Sequence, residues 1–101
     1  MSPHISISDA VIWQESGEGI SLYHTESGEF RTLNASAAQI WALLEEDGDR
    51  EAVIRKLSLL FGGSNTVLTA RIRADVDAFI TSMIEAELLQ ETEAGRAAAR
   101  P

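Results

Sequence analysis

Two histidines, a run of three acids and a scatter of serines are the residues of this chain with chemistry to offer. His4 and His24 could hold a metal or carry a proton, but neither has a second ligand at metal spacing. His24 stands between Tyr23 and Thr25, and both histidines read as structural or solvent-exposed. Glu45-Glu46-Asp47 presents oxygens to a cation, yet lacks the alternating ligands and closing Glu of a calcium loop. It reads as a solvated helix end. Gly17-Glu18-Gly19 has no helix after it, so it reads as a hairpin turn and not a phosphate loop. No serine sits in a glycine-flanked elbow with His and Asp in credible order around it. Asn34-Ala35-Ser36 matches a glycosylation sequon, but a helix-capping role is the better reading. Trp41 falls at a core-periodic position; Trp13 belongs either to the core or to the exposed face of its strand. No catalytic residue, metal site or cofactor is therefore expected, and a binding module is favoured over an enzyme.

Composition narrows the partner. The 101 residues carry 16 acids against 8 bases, a formal charge of -8, which repels a phosphate backbone. Anionic membrane surfaces are disfavoured for the same reason. With no Cys, disulfides, thiolate metal sites and thiol nucleophiles are excluded together. The length suits one domain with one core. No apolar run is long enough to span a bilayer. Met1-Ser2-Pro3-His4-Ile5 lacks a basic patch followed by an apolar run, so no secretory signal is expected and a cytoplasmic location is.

Something must position a binding surface, and the chain changes texture at Asn34. Before it, short β-rich runs alternate with turns at Ser16-Gly17-Glu18-Gly19 and Glu26-Ser27-Gly28. Ile20, Leu22 and His24 share one face of a run with period two. Strands are predicted at about 10–16, 20–25 and 29–33, joined as an antiparallel meander. After it the period becomes 3.6. Asn34 or Ser36 can cap a first helix with Ala37, Ile40, Trp41 and Leu44 inward, ending at Gly48. Asp49 caps a second, over 50–61, with Val53, Ile54, Leu57, Leu60 and Phe61 inward. Gly62-Gly63-Ser64-Asn65 is a loop, and a third helix runs from Thr69 to Ala86. The expected class is α+β: a three-stranded antiparallel sheet followed by three helices, winged helix-turn-helix-like in order. Residues 1–9 are expected to precede the domain, 10–90 to form it, and 91–101 to be a disordered tail.

Two surfaces of that arrangement could bind. The third strand, Glu29, Phe30, Arg31, Thr32 and Leu33, is an edge with no Pro, Lys or internal Gly to block pairing. Such an edge can accept a peptide as a further strand. On the third helix, Ile72, Val76, Phe79 and Met83 form one arc at about 100° per residue. Arg73, Asp77, Ile80 and Ile84 fall to one side, either as part of a wide core stripe or as one wall of a groove beside the open strand.

Leu33-Asn34-Ala35-Ser36-Ala37-Ala38-Gln39-Ile40-Trp41 resembles the Leu-Asn, small-residue, Ile/Leu-Trp passage of PqqD-like proteins. Leu57-Ser58-Leu59-Leu60-Phe61-Gly62 is similar to their second-helix close. Asp75-Val76-Asp77-Ala78-Phe79-Ile80, followed by Leu88-Leu89, is similar to their last helix and exit. Order and spacing over about residues 10–90 carry the resemblance, more than any one motif. Glu87 stands where the family usually has Gly, which puts the end of the third helix in question, with continuation toward Gln90 as the alternative. Gly28-Glu29-Phe30-Arg31-Thr32 departs from the Pro-Glu pair of PqqD itself and leans toward the discrete recognition proteins of lasso-peptide clusters.

The resemblance implies a RiPP recognition element: a non-catalytic protein that binds the leader of a ribosomally made precursor peptide and presents it to a modifying enzyme. That enzyme would be a leader peptidase, cyclase or radical SAM enzyme. The leader would add to residues 29–33 and lie against the Arg73, Asp77, Ile80, Ile84 flank. On that placement, Ile80→Asp is expected to weaken leader binding and spare the fold. Two alternatives stand beside it: a winged-helix transcriptional regulator, opposed by the acids of the third helix, and an accessory domain forming a homodimer through its open strand.

Overall fold

The computed structural model describes residues 3–93. In chain order it has β1 (Pro3–Ile7), β2 (Val11–Ser16), β3 (Gly19–His24), β4 (Phe30–Leu33), α1 (Ala35–Glu46), α2 (Arg50–Leu57), a π-helical turn (Ser58–Gly62), α3 (Thr66–Glu85) and β5 (Leu89–Glu93). The expected meander is present: β2, β3 and β4 form one antiparallel sheet in that order.

Its turns follow from local chemistry. Ser16 and Gly19 pair across a two-residue turn at Gly17-Glu18. Gly19 has φ 150°, and a Cβ there would overlap the Leu33 carbonyl of β4, so only glycine lets the strands close at this end. At the other end His24 is 4% exposed, and its Nδ1 accepts the Glu26 and Ser27 N–H groups at 3.3 and 3.1 Å. It is a structural histidine that holds the turn into β4.

Side-chain oxygens start all three helices. Asn34 accepts the Ala37 N–H at 2.9 Å, Asp49 the Glu51 N–H at 3.0 Å, and Asn65 the Leu68 N–H at 3.0 Å. The Asn65 cap starts α3 at Thr66, ahead of the expected Thr69. At its end, the Leu88 N–H donates to the Met83 carbonyl at 2.9 Å and the Glu87 N–H to Ile84 at 3.0 Å. This is a Schellman closure, with Glu87 in the left-handed region at φ 66°. The helix therefore stops at Glu85 and does not run on toward Gln90.

The second helix differs from its expected span. It is α-helical only to Leu57, and the Gly63 N–H then reaches back to the Ser58 carbonyl at 2.9 Å, a five-residue turn. The wider turn rotates the next residues outward. Leu60 and Phe61, expected inward, are 68% and 55% exposed.

Residues 3–7, expected to precede the domain, form a strand paired antiparallel with β5 from Ile7↔Leu89 to Pro3↔Glu93. Ile5 is 1% exposed, and Gly48 at φ 72° lets β1 approach the α1–α2 corner, where the Ile5 N–H donates to the Gly48 carbonyl at 2.7 Å. Residues 91–93, expected to begin a tail, belong to β5; the rest of that expectation falls on residues 94–101, outside those described.

One core joins all layers: Ile20, Leu22 and Leu33 from the sheet, Ile40, Trp41 and Leu44 from α1, Val53, Ile54 and Leu57 from α2, and Val76, Ile80 and Met83 from α3. Trp41 is fully buried, and half-buried Trp13 meets it edge to face at 6.1 Å between ring centres, so both tryptophans pack on the core. Among the described residues no helix is long and apolar enough to cross a membrane.

Candidate functional site

β4 lies at the end of the order β2-β3-β4, with β3 along one edge and, among the described residues, no strand along the other. Its side chains alternate. Phe30 and Thr32 point out of the sheet and are exposed, while Arg31 is half-buried and Leu33 buried on the helix side. Glu29, at the mouth of the strand, accepts from Arg31 Nε at 2.7 Å. The expected edge strand is thus present as Phe30–Leu33, with Glu29 just before it in an ion pair with Arg31.

The charged residues of the expected second wall are engaged by α2. Arg73 makes a two-pronged contact with Glu51 of α2, at 2.9 and 3.1 Å. That guanidinium holds the Glu51 carboxyl below its ordinary range, and Glu51 in turn raises Arg73. Asp77 accepts from Arg50 of α2 at 2.9 Å, and Arg50 also reaches Glu91 of β5 at 3.4 Å. Ile80 is fully buried, and Ile84 is half-buried against the core. This flank of α3 therefore faces α2 and β5, and the reading of Ile80 as a groove residue is corrected. The helical wheel placed it beyond the core arc, but α2 packs over that arc and widens it.

The opposite flank of α3 borders a more apolar cavity. A cavity of about 260 Å³ lies between α1, the π-helical turn and α3. Gln39 and Ile40 line it from α1, Phe61 from the turn, and Ile72, Asp75 and Val76 from α3. Its lip includes Ser36, just past the end of β4. The walls are mostly apolar, with the Asp75 carboxyl and the Gln39 amide as polar groups. The available signal was the apolar run Leu59-Leu60-Phe61, too long for one inward helical face, but Ile72 and Val76 read as plain core. Among the described residues no group of three or more His, Asp or Glu could hold a metal.

What these features define is a small winged helix-like α+β domain with an open sheet edge and an apolar helical cavity. The chain belongs to the PqqD family: residues 19–89 match the family model of coenzyme PQQ synthesis protein D. Among solved structures, it is similar to TbiB1 in complex with the TbiA(beta) leader peptide, at 27% identity and a TM-score of 0.74, covering 84% of this chain and 94% of that one. It shares its fold with a lasso peptide synthetase B1 complexed with the leader peptide, at 22% identity and a TM-score of 0.72, covering 86% and 98%. No curated protein matches the chain.

Proposed function

We propose that this chain binds the leader region of a ribosomally synthesised precursor peptide, without catalysis, and presents it to a modifying enzyme in the cytoplasm. The leader adds as a strand to the open edge of β4, Phe30–Leu33, with Glu29 and Arg31 placed to meet its charges. An apolar leader side chain fills the cavity bounded by Ile40, Phe61 and Ile72. Main-chain hydrogen bonds along the strand supply affinity at about 0.5–1.5 kcal/mol each, and the cavity supplies selectivity. The modifying enzyme is a leader peptidase, cyclase or radical SAM enzyme, and a lasso-peptide setting is favoured. The observation that carries the reading is the open β4 edge in a chain whose 27%-identical structural neighbour was solved with a leader peptide bound.

Relative to the sequence-based site, the helical wall moves from Arg73, Asp77 and Ile80 to Ile72 and Asp75, with the fully buried Val76 as the cavity floor. Ile84 retains a place only as a half-buried neighbour of the core. The test is a titration of isotope-labelled protein with the synthetic leader of the precursor encoded beside it. Amide shifts should concentrate in residues 30–33, 36–40 and 72–76. Shifts confined to the β1–β5 ribbon, or no binding, would sink the assignment.

A further inference from the structure

The outer face of the sheet carries one apolar row. Ile12 of β2 pairs with Tyr23 of β3, and Tyr23 pairs with Phe30 of β4, so the three side chains stand in line across the strands. They are 62%, 43% and 63% exposed. The next row is Gln14, Ser21 and Thr32, which is polar throughout. An apolar row beside a polar one is more than the scattered exposure of an ordinary surface, and it ends at Phe30 on the open edge.

We infer that Phe30 selects the added strand by its outward side chain: the leader residue that falls opposite Phe30 is aromatic or β-branched and becomes the fourth member of the row. This rests on strand addition to β4 and deepens it. Residues directly opposite on neighbouring strands share a face, whichever way the new strand runs. The occupant of the position beside Phe30 is therefore a side chain of the added strand. Cross-strand aromatic and β-branched pairs are the favoured ones on such a face. Thr32 sets a polar neighbour two residues along, so the outward preference is confined to one position. Recognition is then two-sided, with the cavity reading the face turned to the helices and Phe30 reading the face turned to solvent. The row's other end, Ile12, lies on the second sheet edge, β2; the β4 end is preferred because the cavity lip at Ser36 adjoins β4 along the chain.

Display of randomised twelve-residue peptides on the full chain tests this, with each selected peptide checked by its effect on the amide resonances of residues 30–33. Wild-type protein should enrich an aromatic or β-branched residue at one outward position. Phe30→Ser should erase that enrichment and weaken the wild-type-selected peptides about two- to five-fold, and Phe30→Tyr should retain both. Phe30 is 63% exposed, so its replacement leaves the core intact. Enrichment that survives Phe30→Ser, or that is lost instead in Ile12→Ser, overturns the inference. Peptides that shift the β4 amides without any outward preference overturn it alone. Selected peptides that never touch β4 overturn strand addition as well.

Discussion

The two flanks of α3 carry the same kinds of residue and have different fates. On one, Arg73, Asp77 and Ile80 are all engaged: the first two by Glu51 and Arg50 of α2, the third by the core. On the other, Ile72, Asp75 and Val76 border a cavity that α1 and the π-helical turn leave unfilled. An apolar residue next to a charge is thus no marker of a binding groove. The neighbouring element decides: α2 pairs with the charges of one flank, and α1 and the π-helical turn leave an apolar cavity along the other.

The sharpest way to break that contrast is Ile80→Asp. At a fully buried position a carboxylate loses its hydration with no partner to replace it, a cost of several kcal/mol. That is of the order of the whole stability of a domain this size. We expect loss of the cooperative thermal transition in circular dichroism, and with it loss of binding. A variant that stayed folded and lost only leader affinity would return Ile80 to the groove. Next in size is Phe61→Ser on the cavity flank. Phe61 lines the cavity yet is 55% exposed, so leader affinity should drop about ten-fold or more, an anchor-sized loss. The melting temperature should hardly move. Equal losses in both readouts would mean that the cavity is structural.

Much of this was legible without coordinates, and the division follows from the range of the forces. Strands β2 to β4 were visible because Gly17, Gly19 and Gly28 mark turns and Ile20 and Leu22 alternate between them, all within a few residues. The caps at Asn34 and Asp49 are equally local. β1 was missed although Ile5 and Ile7 alternate with His4 and Ser6, because its partner Leu89–Glu93 lies at the far end of the chain and the pairing is fixed only in the folded state. The edge strand was found because edges follow from strand order. The burial of Ile80 was not legible because a wheel ranks residues by angle and says nothing of which helix sits at that angle. The π-helical turn was equally hidden, and it rotates Phe61 from the expected inner side to the wall of the cavity.

How α3 is stopped tests the contrast at its C-terminal end, with a smaller effect. Glu87 holds φ 66°, a conformation that costs a residue with a Cβ about 1 kcal/mol and costs glycine almost nothing. Glu87→Gly should therefore stabilise the domain by up to about 1 kcal/mol and raise its melting temperature by about 4–8 °C for each kcal/mol gained. Leader affinity should stay the same, since the closure only fixes where β5 begins. A lower melting temperature would mean that the Glu87 side chain contributes more than its backbone strain costs.

The smallest effect belongs to the charged flank itself. Arg73 and Glu51 are both exposed, so their two-pronged contact adds little in water and is weakened by salt. Its signature lies in the pH dependence. Glu51 has its folded-state pKa lowered, chiefly by the Arg73 hydrogen bonds, so the unfolded chain takes up this proton at higher pH than the folded one. The stabilisation is present above the unfolded pKa and is lost as pH falls through the lowered folded value. Glu51→Gln should melt slightly below wild type near neutrality, and the two curves should converge in acid, in melts run at low salt. Leader affinity at neutral pH should be unchanged in Glu51→Gln, because the flank that it braces is not the one that borders the apolar cavity of Ile40, Phe61 and Ile72. An affinity that dropped with the ion pair, at constant stability, would instead place the peptide along α2 and reverse the roles of the two flanks.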